Sequence, residues 1–98
     1  MTLTPDMYNC WPGGQEPTAE EIQSCDALEI HPLLNASETD DETWYEPCDR
    51  DDAEIWGVYL HLKEGGIESL TDCQTEADAL LIGNALAGIW DLDLHCFY

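Results

Sequence analysis

The clearest hydrophobic pattern lies in the C-terminal half of the chain, over residues 54–62. Every second position there is a large apolar residue: Trp56, Val58, Leu60 and Leu62. Alternation with a period of two is typical of a strand with one buried face. The sequence Lys-Glu-Gly-Gly at 63–66 is a turn signal, and a second strand-like run follows at 67–73. Together these segments predict a β-hairpin over 54–73.

A helix is predicted directly after the hairpin, at about 75–90. Thr75 is a favoured helix cap, and Asp78 stands three residues later. The apolar positions then recur at helical spacing: Ala79, Ile82, Leu86 and Ile89. Gly83 on this stripe would allow close packing against the sheet. Residues 92–98 alternate again and predict a terminal strand.

The N-terminal part of the chain gives weaker signals. Residues 1–16 combine turn residues with large side chains such as Trp11, which predicts an irregular arm that packs back on the core. Thr18 and Glu21 have the spacing of a capping box. Because apolar residues follow them at helical spacing, we expect a short helix at about 18–28.

The middle of the chain is apolar at first and then strongly acidic. Pro32 restricts residues 29–34 to an edge strand or an extended link. Residues 35–52 have no clear period and predict an acidic, irregular segment. The chain as a whole, 1–98, is expected to form one domain of the α+β class, with a small antiparallel sheet and its helices on one face.

Charge changes this picture more than any other feature of the composition. The 98 residues contain 22 Asp and Glu but only Arg50 and Lys63 as basic residues, which gives a formal net charge of −20. Self-repulsion of this size opposes compaction. Yet 44% of the residues are hydrophobic, so we expect a folded chain rather than a disordered one. The sequence shows neither a membrane-spanning segment nor a secretory leader, which predicts a cytoplasmic protein.

The five cysteines are scattered and never form a Cys-x-x-Cys pair: Cys10, Cys25, Cys48, Cys73 and Cys96. In a cytoplasm we expect them to be reduced and to serve as small buried hydrophobic residues. One disulfide or a cysteine-linked dimer remains an open alternative. A zinc site is not expected, because close ligand pairs are missing.

Catalytic, metal and nucleic-acid sites find little support in the sequence. A calcium loop that begins at Asp40 would place Tyr45 where glycine is needed and Asp51 where glutamate is needed. His61 and His95 fall on predicted strands and are expected to be half-buried sheet residues. We therefore predict no enzyme, no cofactor and no metal. Nucleic acid would be repelled, because its binding depends on Lys and Arg.

Binding to a basic protein surface fits the charge better than solubility alone. Soluble surfaces usually mix both signs, with a net charge of about 2–8 in magnitude for a small domain. Duplex DNA carries one negative charge per ~1.7 Å of its axis, and grooves that hold it are lined with Lys and Arg. A rigid body that carries carboxylates on one face could occupy such a groove in place of DNA.

The predicted partner-binding residues form two groups of acids and one aromatic pair. The first group is Glu38, Asp40, Asp41, Glu42, Glu46, Asp49, Asp51, Asp52 and Glu54. The second group lies on the hairpin and consists of Glu64, Glu68 and Asp72. Trp44 and Tyr45 are either interface anchors, as aromatic residues often are, or the pin that holds the acidic segment to the core.

The chain resembles the DNA-mimic inhibitors of bacterial defence systems. The resemblance lies in its size, its near lack of Lys and Arg, and its cluster of acids between Glu38 and Glu54. Such inhibitors are small acidic proteins of phages and plasmids, the anti-CRISPR and anti-restriction proteins. The resemblance implies a non-catalytic inhibitor that docks on the DNA path of a CRISPR effector. The alternatives are an inhibitor of a restriction enzyme and an acidic adaptor or antitoxin-like partner of a basic cellular protein. A homodimer paired through the terminal strand also stays open.

Overall fold

The computed structural model describes residues 7–11, 15–35 and 45–97. The elements in these ranges are α1 (Ala19–Gln23), β1 (Cys25–Asn35), β2 (Tyr45–Pro47), a 3-10 helix (Arg50–Asp52), β3 (Ile55–Leu62), β4 (Ile67–Cys73), α2 (Glu76–Trp90) and β5 (Asp93–Cys96). The strands form one sheet. The predicted α+β class is therefore confirmed. Among the described residues, neither helix is long and apolar enough to cross a bilayer.

The long strand β1 is the centre of the sheet. Along one edge it pairs antiparallel with β3, and β3 pairs antiparallel with β4. Two short strands share its other edge: β5 lies beside residues 27–30, and β2 lies beside residues 33–35. The sheet is antiparallel as predicted except at β5, which is parallel to β1. The cause is α2, which connects β4 to β5 and carries the chain back across the sheet.

Pro32 lies in this central strand, and the predicted edge position or extended link is wrong. Its carbonyl oxygen accepts a hydrogen bond from Cys48 N at 3.0 Å, so its polar backbone faces the edge shared by β5 and β2. On that edge Phe97 N bonds to Ile30 O, just beyond the end of β5. Proline is tolerated because its missing N–H falls where one short strand stops and the other begins.

Helix α1 begins as predicted but ends earlier. Thr18 Oγ1 accepts from Glu21 N at 3.2 Å, and Glu21 Oε1 accepts from Thr18 N at 2.9 Å, which is the expected capping box. The helix stops at Gln23 rather than near residue 28. From Cys25 onward the chain pairs with β3, and this long-range pairing outweighs the helical spacing of the apolar residues.

The hairpin and α2 confirm the predictions for the C-terminal half. Gly65 and Gly66 have φ angles of 107° and 88°, which the turn requires and which glycine tolerates best. Thr75 Oγ1 accepts from Asp78 N at 3.1 Å and caps α2. One member of the predicted apolar stripe differs: Ile89 is 40% exposed, so it does not join the core.

The core lies between α2 and one face of the sheet. Its fully buried side chains come from three strands and α2: Leu28, Ile30, Val58, Leu60, Leu70 and Leu86. Gly83 brings α2 close to the sheet, because a Cβ there would lie 3.1 Å from Leu94 Cδ1 and 3.2 Å from Ile30 Cδ1.

The N-terminal arm closes one end of this core, as predicted for residues 7–11. Met7 and Tyr8 pack against the core cluster, and Trp11 is buried in it. Trp11 Nε1 donates to Glu21 Oε2 at 3.2 Å, which joins the arm to α1. Cys10 N donates to Leu70 O at 2.9 Å and covers part of the outer edge of β4.

Candidate functional site

One end of the sheet carries a group of exposed carboxylates that we call the acidic end. It consists of Glu46, Asp49, Asp51, Asp52 and Glu54. These residues come from β2, the 3-10 helix and the approach to β3. All belong to the first predicted group of partner-binding acids, and the fold places them beside the C-terminal end of β1.

The backbone of the acidic end is fixed to β1. Strand β2 pairs with residues 33–35. After β2, Cys48 N donates to Pro32 O, and Glu54 N donates to Leu33 O at 2.8 Å. Glu54 Oε1 also accepts from Asn35 N at 3.2 Å. The segment that we predicted to be irregular is therefore held by strand pairing where the structure describes it, and its carboxylates project from a defined frame.

One of the two basic residues of the chain is committed to an ion pair at this end. Arg50 Nη2 lies 2.7 Å from Glu76 Oε2, in the first turn of α2. The Arg50 side chain is 61% exposed, so the pair adds at most about 1 kcal/mol to stability. It joins the 3-10 helix to the first turn of α2.

The hairpin acids Glu64 and Glu68 lie at the opposite end of the sheet. Strand β3 has eight residues, which separate the two ends by roughly 25 Å. At this far end Lys63 N donates to Ser24 O at 2.9 Å and ties the hairpin to the end of α1. The two predicted groups of acids therefore do not form one continuous cluster.

Asp72, the third hairpin acid, is engaged within the protein. Its backbone N donates to Asn9 Oδ1 at 3.2 Å, and its Oδ2 lies 3.4 Å from Cys10 Sγ. Asp72 is half-buried, in contrast to Glu64 and Glu68, which are exposed. Its observed contacts hold the N-terminal arm on β4.

Part of the predicted surface falls outside the described residues. This applies to Glu38, Asp40, Asp41, Glu42 and Trp44. Tyr45 opens β2, opposite Asn35, and is 39% exposed. It is therefore held in place by its backbone while much of its ring remains accessible, and this geometry is compatible with both roles considered for the aromatic pair.

The sheet face opposite α2 gathers the three histidines of the chain, which the sequence did not bring together. His31 Nε2 lies 2.8 Å from Glu29 Oε1, and His61 Nδ1 lies 2.5 Å from Asp26 Oδ1. His95 is on β5, opposite Glu29. His61 is half-buried as predicted, whereas His95 is exposed.

Aromatic rings surround His31 on this face. The ring of Phe97 stacks on it with centroids 4.7 Å apart and 9° between the planes. Tyr59 meets it edge-on at 5.2 Å. Burial, and then the charge of Asp72, raises the pKa of the Tyr59 hydroxyl. The hydrogen bond that His61 donates to Asp26 raises the pKa of His61 above its ordinary value. Each of the two acid–histidine pairs is thus held together by a hydrogen bond.

Sequence reasoning missed the acids of this face, namely Asp26, Glu29 and Asp93. The terminal strand predicted at 92–98 already places Asp93 and His95 on one face. The missed signal is the strand pattern at 27–31, where Glu29 and His31 alternate with apolar residues. The helix predicted through residue 28 concealed it. Registration with β3 then brings Ala27 opposite His61, and registration with β5 brings it opposite Asp93.

Three of the five thiols lie where their environment makes them poor nucleophiles. None of the five cysteines forms a disulfide; Cys25 and Cys73 are buried as predicted, whereas Cys10 and Cys96 are exposed and Cys48 is half-buried. Burial, and then nearby carboxylates, raises the pKa of Cys10, Cys25 and Cys48. A raised pKa keeps a thiol protonated and less reactive.

Within residues 7–11, 15–35 and 45–97, no group of three or more His, Cys, Asp or Glu side chains is arranged to hold a metal ion. The described acids are spread over several surfaces rather than converging on one point. Comparison with known proteins finds no match to this chain among family models, curated proteins or solved structures.

Proposed function

We propose that this protein is a non-catalytic inhibitor that occupies a basic DNA-binding surface of a CRISPR-Cas effector complex by DNA mimicry. It thereby blocks the binding of target DNA, in the cytoplasm of a bacterial host attacked by the phage or plasmid that encodes it. The observation that carries the proposal is the charge balance, 22 acids against two basic residues. Of those two, Arg50 is bound to Glu76. A surface of this kind attracts a groove lined with Lys and Arg.

The dimensions of the molecule support this proposal. Its longest dimension is 38 Å, close to one turn of duplex DNA at about 34–36 Å. The acidic end and the hairpin acids Glu64 and Glu68 lie at the two ends of the sheet, roughly 25 Å apart along an eight-residue strand. Both can therefore face basic residues along a single DNA path, although they are separate clusters.

The rigidity of the acidic end also supports the proposal. A mimic loses less entropy on binding when its charges are already positioned. Asp49, Asp51 and Asp52 are held by a 3-10 helix in which Asp52 N donates to Asp49 O at 3.0 Å. The flanking residues Cys48 and Glu54 are bonded to β1. These carboxylates are thus presented to solvent on a fixed backbone.

The experiment is a competition between this protein and labelled target DNA for guide-RNA-loaded effector complexes, followed by fluorescence anisotropy. We expect tight binding to the DNA-free effector, a strong loss of affinity with rising salt, and exclusion of the protein once DNA is bound. Undiminished binding to an effector already occupied by target DNA would overturn mimicry. Binding to restriction enzymes but to no effector would transfer the same mechanism to the anti-restriction alternative.

A matched pair of variants locates the contact surface. The triple change Asp49→Asn, Asp51→Asn and Asp52→Asn removes three charges from the acidic end. Asp49 makes no side-chain hydrogen bond to the 3-10 helix, so its replacement spares the local fold. We expect binding to weaken about tenfold or more, since each lost contact contributes of order 0.5 kcal/mol.

The control removes the same number of charges from exposed sites outside the predicted surface, with Glu16→Gln, Glu20→Gln and Asp91→Asn. We expect this variant to lose far less affinity than the first. Equal losses in the two triples would mean that only net charge matters and that the acidic end is not the contact surface.

A further inference from the structure

An open cavity of about 470 Å³ lies on the sheet face opposite α2. Its lining comes from β1, β3, β5 and the residue that follows β5: Asp26, Ala27, Glu29, His61, Asp93, His95 and Phe97. Sites for small organic groups typically measure about 300–1,000 Å³. The cavity is therefore large enough for a long side chain of a partner protein.

The strand register explains how the cavity forms. Ala27 lies between His61 on one side and Asp93 on the other. Because the Ala27 side chain is only a methyl group, it leaves open space between the larger side chains on either side. Two residues along β1, Glu29 lies opposite His95. The small residue forms the floor, and the charged and aromatic residues form the walls.

The charge of the cavity favours a cationic occupant. Three carboxylates line it, and neither of the two basic residues does: Arg50 is bound to Glu76, and Lys63 begins the hairpin turn. The Asp26 side chain is 48% exposed even though its Oδ1 is bound to His61. Glu29 is 8% exposed, so its charge acts through a poorly solvated region, where electrostatic attraction is stronger.

The arrangement of Phe97 and the carboxylates distinguishes between the two common protein cations. One face of the Phe97 ring stacks on His31, and the residue remains 52% exposed. Phe97 lies four residues beyond Asp93, roughly 13 Å along the strand direction, so it can cover the aliphatic stem of a long side chain whose cationic group lies at Asp93 and Asp26. A guanidinium group is planar and binds carboxylates through paired hydrogen bonds, whereas an ammonium group is a strongly hydrated point charge. Two carboxylates at that end therefore suit arginine better than lysine.

We propose that this cavity binds an arginine side chain of the basic partner and so acts as an anchor of the interface. The proposal deepens the proposed function and rests on it, since it assumes a basic partner. It assigns a role to residues outside both predicted groups of acids. Asp26 and Asp93 bind the guanidinium group, and Phe97 covers the aliphatic part of the side chain.

The test uses a small probe, so that it does not depend on identifying the partner. The probe is a blocked pentapeptide, Gly-Gly-Arg-Gly-Gly, titrated into the isotopically labelled full chain and followed by two-dimensional NMR. Matched peptides carry lysine or uncharged citrulline in place of arginine. We expect chemical-shift changes concentrated at Ala27, His61 and Phe97. These changes should be largest with the arginine peptide, smaller with the lysine peptide and absent with the citrulline peptide.

Two double variants with the same net charge distinguish binding in the cavity from attraction by the overall negative charge. Asp26→Asn with Asp93→Asn removes two charges from the cavity, and Asp49→Asn with Asp51→Asn removes two from the acidic end. We expect the first pair to weaken arginine-peptide binding about tenfold and the second less than about twofold. Phe97→Ala should lower the affinity for the arginine peptide about threefold, because it removes the apolar surface that covers the aliphatic stem.

Equal weakening by the two double variants would overturn the proposal, as would shifts spread evenly over the acidic surface or equal responses to arginine and citrulline. Each variant is first compared with the parent chain by thermal unfolding, so that a folding defect is recognised. The two proposals can fail independently. If the arginine peptide binds in the cavity but the protein binds no effector, the arginine site is supported and the CRISPR proposal is overturned. If the protein binds an effector but the peptide gives no response, the CRISPR proposal is supported and the arginine site is overturned.

Discussion

The two faces of the sheet are made from alternate residues of the same strands, yet their chemistry is opposite. Toward α2 the strands present Leu28, Ile30, Val58 and Leu60, all without exposed surface. On the other face the neighbours of these residues include Glu29, His31, Tyr59 and His61, which pair through hydrogen bonds and ring contacts. One face is a hydrophobic core, and the other is a charged, aromatic surface.

This difference shows how a chain with such a charge can remain folded. No carboxylate of the described residues is buried in the core between α2 and the sheet, so the core needs no charge compensation. Among the described residues, Glu29 is the only buried carboxylate, and it lies on the opposite face next to His31. Stability is thus concentrated on one side of the sheet, which leaves the residues of the other side available for binding.

The largest effect is expected from a change on the core face. Leu60→Ala should lower the free energy of unfolding by about 2–5 kcal/mol, because it removes a fully buried side chain and leaves a cavity. The matched change on the opposite side of the hairpin is Ile67→Ala, at a residue that is 44% exposed, with an expected loss below about 1 kcal/mol. Urea unfolding followed by tryptophan fluorescence measures both values. Similar losses would contradict the contrast between the two faces.

An intermediate effect is expected from adding a methyl group to the polar face. A Cβ at Gly57 would lie 2.7 Å from Tyr59 Cε2 and 2.9 Å from Leu33 Cδ1, so Gly57→Ala forces these side chains to move. We expect destabilisation by about 1–3 kcal/mol, as in other overpacked sites. Gly88→Ala is the control, because a Cβ there meets nothing within 4 Å. A loss at Gly57 no greater than at Gly88 would mean that the Tyr59 ring is not held against the strand.

The smallest effect is a pH dependence that comes from the polar face alone. The hydrogen bond that His61 donates to Asp26 raises the pKa of His61 above 6.5, so the folded state binds this proton more tightly than the unfolded state does. The resulting stabilisation is fully present below the unfolded pKa and is lost as pH rises through the folded pKa. Unfolding measured from pH 5.5 to 8.5 should show a decline that Asp26→Asn reduces. An unchanged slope in this variant would show that the pair does not contribute.

Sequence patterns predicted the elements whose signals are local. The hairpin, its glycine turn and the Thr75 cap follow from alternation, conformational freedom and capping chemistry, all within a few residues. The end of α1 and the place of β1 depend on pairing with β3, which lies much later in the chain. A helical spacing at Ile22, Cys25 and Leu28 could not anticipate that competition.

The candidate binding surfaces show the same limit of sequence-based prediction. Composition located the acids, and the structure then divided the described ones between two ends of the sheet and assigned Asp72 to contacts with the N-terminal arm. The cavity opposite α2, which we propose to bind arginine, forms because the register of three strands places Ala27 between His61 and Asp93. Residue spacing along the chain cannot predict this arrangement, because it depends on which strands pair across the sheet.

That parallel pairing between β1 and β5 also has a consequence for how the chain folds. The contact joins residues 27–30 to residues 93–96, so it is among the last that a folding chain can close. Until then the edge of β1 beside Ile30 is an open template for strands of other molecules. The charge of −20 makes such encounters repulsive. We therefore expect the same acidity that we propose to serve partner binding to protect the chain from aggregation while it folds.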